Sequence, residues 1–444
     1  MMNIVYLLES TDLCGGVKVV FNHAASLTER GHFVVVLSPD PYPAWFGKQV
    51  AFERIDLKLF HKVPFFNDID FIVATSPLHL ISVYNYLFLN SASTLSDFNP
   101  SKNHQVKQHQ QESITQKQHI TQKQSITQKQ SITQKQSITQ KQSITQKQSI
   151  TQKQNIRQKL VHFVQGYEAD CAEAEPFAQM ITQAYSLDIP KITVSNRLSQ
   201  RLSSLYPGKN FMTCGQGLEH EIFYPQEKLA SNDISFNDSA LSSNLSSDYV
   251  LSSNSTLDYE SKLYTNAIET IFLIGAFDIS VKRISDGLYA FKRSSEKKAN
   301  FKLVRVSAVD TRAKEEELIG KIDEYHTSLT PCEVGELFRK TGGILLSPSS
   351  EGEGFGLPAL EAMACGIPTV LTDIPSYRSF SSPDDYSLFV PVGNIEQMAD
   401  AILEISENQR LRYQLIKRGI DVSKEYSYSK VVENLEMCFH DKKE

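Results

Sequence analysis

The stretch GGILLSPSSEGEGFGLPALEAMACGIPTVLTD, residues 342–373, decides how this chain folds. GGILLSPS and IPTVLTD are short apolar runs punctuated by Gly and Pro, the pattern of strands buried on both faces. Between them Pro358 suits the first turn of a helix and Gly366 its C-terminal cap, so PALEAMAC is a very short helix. A strand, a glycine turn, a helix and a second strand make one unit of a doubly wound α/β sheet.

The same alternation extends in both directions. Residues 3–8 are apolar, CGGVKVVFNHAASLTERGH (14–32) is a glycine turn opening an amphipathic helix, and FVVVLSP (33–39) is a second strand. FIVATS (71–76), LVHFVQGYE (160–168) and the start of PKITVSNRLSQRLSSLYPG (190–208) continue the first half. TIFLIGAF (270–277) and FKLVRVS (301–307) lead into the opening stretch in the second. The expected class is α/β, with two Rossmann-like domains facing across a cleft and a low-complexity insertion in the first. The expected boundaries are 1–227 for the first domain, with the insertion at 99–157, and 228–265 for a linker. The second domain takes 266–420, and a C-terminal helix, 421–444, packs back on the first domain.

Two segments break the alternation. ITQKQ occurs seven times between Ile114 and Gln154. Six residues advance a helix by about 600°, so successive isoleucines fall out of register and no apolar stripe forms. As a strand the even period puts every isoleucine on one face. One isoleucine in six residues is nonetheless little burial to set against ordering entropy. The tract reads as a tolerated repeat expansion in a loop, with a partner-binding arm as the alternative. Residues 228–265, rich in Ser and Asn, read as a linker between domains, and a cleft between two so joined is a natural ligand site.

Composition narrows the functions. In 444 residues, 41% hydrophobic and 22% charged describe a globular protein of two domains. A net charge of −6 gives no footprint for nucleic acid, the more so because seven of the lysines sit in the repeat. Six scattered cysteines without a CxxC pair read as reduced thiols. MMNIVYLLESTD lacks the basic start of a signal peptide, and residues 70–90 carry Pro, His, Ser and Asn, which suits a strand and a buried helix rather than a membrane span. The expected location is cytoplasmic.

The glycine turn Gly354-Phe355-Gly356-Leu357 lets backbone approach a ligand closely, and free amides at the following helix N-terminus favour an anion. Glu353 and Glu361 stand on either side of it. Carboxylates do not hold an anion, but they accept hydrogen bonds from hydroxyls on its two flanks. Phosphates between two hydroxyl-bearing ends describe a nucleotide diphosphate sugar. A lone glutamate on a short helix is ordinarily a solvated surface residue; the pairing across the turn argues otherwise. The G-x-G-x-x-G of dinucleotide enzymes and the G-K-[ST] of P-loops are both missing after the first strand.

EGFGLPALEAMACGIPTVLTD resembles the Glu-x7-Glu motif of retaining family 4 glycosyltransferases, enzymes of the two-domain GT-B fold. The N-terminal GGV turn, RGH before a strand, GQGLEHEIFYP and LIGAFDISVKR extend the likeness to most of the chain outside the two low-complexity segments. The resemblance implies that Glu353 contacts the donor sugar and supports developing positive charge, while Glu361 binds the ribose. Gly354 and the amides of Phe355, Gly356 and Leu357 face the phosphates, and Gly15 and Gly16 line the cleft from the first domain. The family pattern carries an arginine after the strand glycine and a lysine further on, both clamping the leaving diphosphate. Ala276 stands where that arginine is expected, so Lys282, with Arg283 beside it, supplies the charge. His162, Glu168 and Asp170 are acceptor-side candidates.

The expected activity is metal-independent transfer of a sugar from a nucleotide diphosphate sugar to a hydroxyl, with retention and no further cofactor. A glycan or lipid-linked acceptor and peripheral association with the inner membrane surface follow from the same resemblance. Two alternatives stay open. One is another GT-B activity, a nucleotide-sugar epimerase or a phosphorylase; the other is a non-catalytic nucleotide-sugar-binding protein, for which Ala276 speaks.

Overall fold

The computed structural model describes residues 1–63, 68–88, 160–226 and 270–440. The ITQKQ repeat and the Ser/Asn-rich segment 228–265 both lie outside the described residues. The chain divides into two compact units, Met1–Leu80 with Val161–Glu444, and Ile81–Leu160. The cleft described below belongs to the first.

Two doubly wound sheets carry the fold. The first has the order β3-β2-β1-β4-β5-β6-β7: β1 Asn3–Leu7, β2 Phe33–Ser38, β3 Ala51–Arg54, β4 Phe71–Ala74, β5 Leu160–Val164, β6 Lys191–Thr193 and β7 Phe211–Thr213. The second has the order β10-β9-β8-β11-β12-β13: β8 Thr270–Ile274, β9 Lys302–Ser307, β10 Glu324–Thr327, β11 Ile344–Ser347, β12 Thr369–Thr372 and β13 Leu388–Val390. Every neighbouring pair of the second sheet is parallel. Central strands are buried along their whole length, β4 and β11 at all four positions, which explains their unbroken apolar runs. In both sheets the order reverses beside the first strand, between β1 and β4 and between β8 and β11. Ligands of open α/β sheets sit at that reversal, outside the carboxyl ends of the strands.

The four strands with no clear counterpart in the sequence reading are β3, β7, β10 and β13, and they are the four sheet edges. Their faces are half-covered, and β3, AFER, and β10, EYHT, carry no apolar run, while β7, FMT, and β13, LFV, are only three residues long. The last helix, Tyr428–His440, crosses back to the first sheet's surroundings. Phe439 stacks on Phe71 at 4.6 Å, Asn434 Nδ2 donates to the Cys214 carbonyl at 2.9 Å, and Arg30 pairs with Glu436 at 2.8 Å. No helix among the described residues is long and apolar enough to cross a membrane.

Candidate active site

The glycine turns at the two sheet reversals meet in one cavity of about 430 Å³. Gly15, Gly16, Lys18 and Gln165 line it from the first sheet's side; Ala276, Lys282, Glu353 and Glu361 line it from the second's. Two helix N-termini open onto it. The helix Gly15–Glu29 begins after Cys14 and the helix Leu357–Ala364 after Gly356, and neither has a side-chain cap. The helix Pro331–Thr341, by contrast, starts with a complete capping box from Thr330 and Glu333. First-turn amides left without a side-chain acceptor suit an anion.

Gly356 has to be glycine on two counts. Its φ is +97°, and a Cβ there would lie 2.1 Å from the Tyr377 ring. The Tyr377 hydroxyl in turn donates to Ser349 Oγ at 3.2 Å, and Ser349 Oγ donates to Glu353 Oε2 at 2.9 Å. Lys282 Nζ reaches the same oxygen at 2.6 Å. Burial pushes the Glu353 carboxyl upward, but Lys282, Ser349 and the Phe355 amide outweigh it and hold the group below its ordinary value. Glu353 is thus an ionised, oriented carboxylate at the cavity wall.

Lys282 is positioned by a buried network behind it. Arg305 on β9 is fully buried, grips Glu315 through two bonds of 2.6 and 2.8 Å, and donates to the carbonyls of Leu273 at 2.7 Å and Gly275 at 2.9 Å. Gly275 stands where β8 ends, and the Lys282 stem lies 3.7 Å from where its Cβ would be. From the other side, Ser280 accepts from the Ala172 amide and donates to Glu173, all at 3.0 Å. The loop carrying Lys282 is therefore held by both halves of the molecule.

Glu361 sits one turn into its helix and is bonded across the cleft by Lys18, whose Nζ also lies 3.8 Å from Glu219. All three side chains are buried. Burial pushes the Glu219 carboxyl up and the Glu361 charge adds to it, against the pull of Lys18. Lys18, Glu219, Gln165 and Tyr377 were not singled out from sequence. Lys18 lies in the amphipathic helix as an ordinary polar residue, and only the folded chain brings it to Glu361, 343 positions away.

Of the residues expected from sequence, Gly15, Gly16, Lys282, Glu353, Phe355, Gly356, Leu357 and Glu361 come together in the cavity lining. Gly354 stands behind it, where the two halves touch: a Cβ would fall 1.9 Å from the Gln165 carbonyl oxygen. The other expectations need correction. Arg283 turns away in a left-handed conformation and pairs with Asp286 at 2.6 Å, so its charge is spent beside its own helix. His162 is wholly buried in β5 against Tyr185, since the alternation of the strand points it into the core. Glu168 is committed to the Tyr185 hydroxyl at 2.7 Å, and burial raises its carboxyl to about 7. Asp170 is taken by the Arg201 guanidinium, with one bond of 2.5 Å. Among the described residues no three His, Cys, Asp or Glu gather as a metal site.

The comparisons with known proteins agree with this architecture. Residues 266–422 match the family model described as Glycosyl transferases group 1. Phosphatidyl-myo-inositol mannosyltransferase of Mycobacterium leprae is 28% identical over 96 residues, 22% of this chain and 26% of that protein. N-acetyl-alpha-D-glucosaminyl L-malate synthase of Bacillus anthracis is 29% identical over 109 residues, 24% of this chain and 28% of that one. The chain thus spans about a quarter of the length of these curated relatives. Sucrose-phosphate synthase from Thermosynechococcus elongatus superposes over 99% of both chains with a TM-score of 0.62 at 13% identity. HepE of Anabaena, solved in complex with UDP-glucose, superposes with a TM-score of 0.61 at 10% identity over 99% of this chain and 100% of that one. The fold is GT-B, and the second domain is similar to group 1 glycosyl transferases.

Proposed function

We propose that this protein is a retaining glycosyltransferase that moves a sugar from a nucleotide diphosphate donor to an acceptor hydroxyl without a metal. The observation that carries the proposal is the cavity itself: two uncapped helix N-termini and two acid–lysine pairs, Glu353 with Lys282 and Glu361 with Lys18, converge at the carboxyl ends of both sheets. In this reading the diphosphate lies against the amides of Phe355, Gly356 and Leu357, Glu361 accepts from the ribose, and Glu353 lies beneath the sugar. The bond between the anomeric carbon and the diphosphate oxygen breaks, and Lys282 with the helix N-terminus stabilises the departing charge. The acceptor oxygen bonds the same carbon on the same face, and its proton passes to the leaving phosphate. The UDP-glucose complex of HepE makes UDP-sugars the first donors to try; the similarity to a mannosyltransferase adds nucleotide-linked mannose, for which GDP-mannose is the probe. A lipid-linked or glycan acceptor, with docking at a membrane surface, fits the same relatives.

The test is thermal unfolding and calorimetry with UDP, GDP, UDP-glucose and GDP-mannose on wild type, Glu361→Ala and Glu353→Ala. One nucleotide should bind selectively, more weakly to Glu361→Ala, and Glu353→Ala should lose roughly 10²–10³ in turnover with its fold intact. Selective binding without bond cleavage by the wild type would favour the non-catalytic alternative that Ala276 suggests. No binding by any of the four would overturn the proposal.

A further inference from the structure

Lys18 is the one lysine of the helix Gly15–Glu29, and it is buried, 6% exposed, at the cavity wall. Its ammonium bonds Glu361 Oε1, lies 3.8 Å from Glu219 Oε2 and faces the Phe223 ring at 5.1 Å. Glu219 Oε2 is itself buried and accepts no hydrogen bond. Two buried carboxylates, one from each side of the cleft, therefore converge on one cation. We propose that Lys18 is a positioning residue for nucleotide binding: it holds Glu361 aimed into the cleft and stands between Glu361 and Glu219, so that both carboxylates keep their places when a nucleotide binds. This rests on the reading of Glu361 as the ribose acceptor.

The chemistry follows from the geometry. Lys18 engages Glu361 through Oε1, which leaves Oε2 to accept a ligand hydroxyl while the ion pair stays intact. Without the ammonium, two carboxylates share a buried wall of the cleft, Glu219 already pushed up by burial and by the Glu361 charge, and a nucleotide that covers them further binds with uptake of a proton. Among the described residues, no other cation near the pair is free to replace it. The further groups around the pair are the Tyr428 hydroxyl, the Cys365 thiol, the Asn22 side chain and Glu221. Lys48, the next cation on the Glu219 side, is paired with Glu221 at 2.9 Å, and Arg339 lies on the far side against Cys365. Removing Lys18 thus changes not only the strength of nucleotide binding but its pH dependence, which the loss of a merely structural lysine would not do.

The experiment is calorimetric titration of UDP and GDP between pH 5.5 and 8.5, with unfolding temperatures measured alongside. Lys18→Met should bind the preferred nucleotide about tenfold or more weakly at pH 8. Its affinity should fall by up to about tenfold per pH unit as pH rises, where the wild type changes little, as proton uptake on binding requires. Lys18→Arg should keep the wild-type profile. Lys18→Met/Glu219→Gln, which removes one of the stranded carboxylates, should recover affinity and flatten the slope, and it serves if the single variant does not fold. Loss of binding in Glu361→Ala together with wild-type affinity and slope in Lys18→Met would overturn this inference alone. Unchanged binding in Glu361→Ala would instead remove the ribose reading on which it stands.

Discussion

Gly354→Ala is the substitution that most directly tests whether the two halves must touch as they do. The added Cβ would lie 1.9 Å from the Gln165 carbonyl oxygen and 3.1 Å from Gly166 Cα. Ordinary contact begins at 3.4 Å, so about 1.5 Å must be found by moving backbone, since no flexible side chain stands in the way. The loop cannot yield alone. The Ser350 amide donates to the Val281 carbonyl at 2.8 Å, the Glu353 amide to the Ser350 carbonyl at 2.9 Å, and Ser376 Oγ holds the Glu353 carbonyl. The cleft opens instead, and Glu353 and Lys282 recede from the first sheet by more than 1 Å. A displacement of that size costs on the order of 10² in rate when it separates reacting groups. The clash is confined to the contact of the two loops, so the stability loss should stay near that of a local overpacking, about 1–3 kcal/mol. The assay is donor turnover, nucleotide affinity and thermal unfolding of Gly354→Ala. Gly47→Ala, where a Cβ meets nothing within 4 Å, is the control. Wild-type turnover and affinity in Gly354→Ala would refute the claim that this contact sets the working geometry.

Three further outcomes are expected. Arg305→Met leaves Glu315 buried without its cation and should cost about 3–5 kcal/mol in denaturant unfolding; a loss below 1 kcal/mol would mean the network relaxes. His23 and His162 are wholly buried, and burial lowers both to about 3 from an ordinary 6.5. The unfolded chain therefore binds more protons than the folded one below pH 6.5, and stability, full above that value, should fall as pH drops toward 3, by about 1 kcal/mol per pH unit for each histidine. Urea midpoints of wild type and His162→Phe across pH 4–7 check this, and the variant should show the shallower decline. Deletion of residues 112–156 should leave nucleotide affinity and unfolding temperature unchanged; loss of binding in a folded deletion variant would give the repeat a function.

The buried strands and the Glu353–Glu361 turn were legible in the sequence because each is a local pattern. An unbroken apolar run such as FIVA or ILLS names a strand covered on both faces, and a glycine turn into a short helix names a place where backbone amides are free. The edge strands escaped for two reasons: AFER and EYHT are half-exposed and carry no periodic signal, and FMT and LFV are too short to show one. The acceptor-side candidates failed for a related reason. LVHFVQGYEAD shows polar residues at the end of a strand, but not that His162 faces the core, nor that Glu168 and Asp170 have already met Tyr185 and Arg201.

What the sequence by itself determined is therefore the alternation that makes two doubly wound sheets and the spacing that puts two carboxylates around a glycine turn at a helix N-terminus. Both depend on residues a few positions apart, where backbone geometry alone relates one side chain to the next. What only the tertiary structure decided is which charged and polar groups face each other. Lys18 with Glu361, Lys282 with Glu353 and Ser280 with Glu173 join positions 343, 71 and 107 residues apart. A lysine on an amphipathic helix looks the same in sequence whether water or a carboxylate receives it, and burial against the opposite half is what sets Lys18 beside Glu361 at the cleft wall.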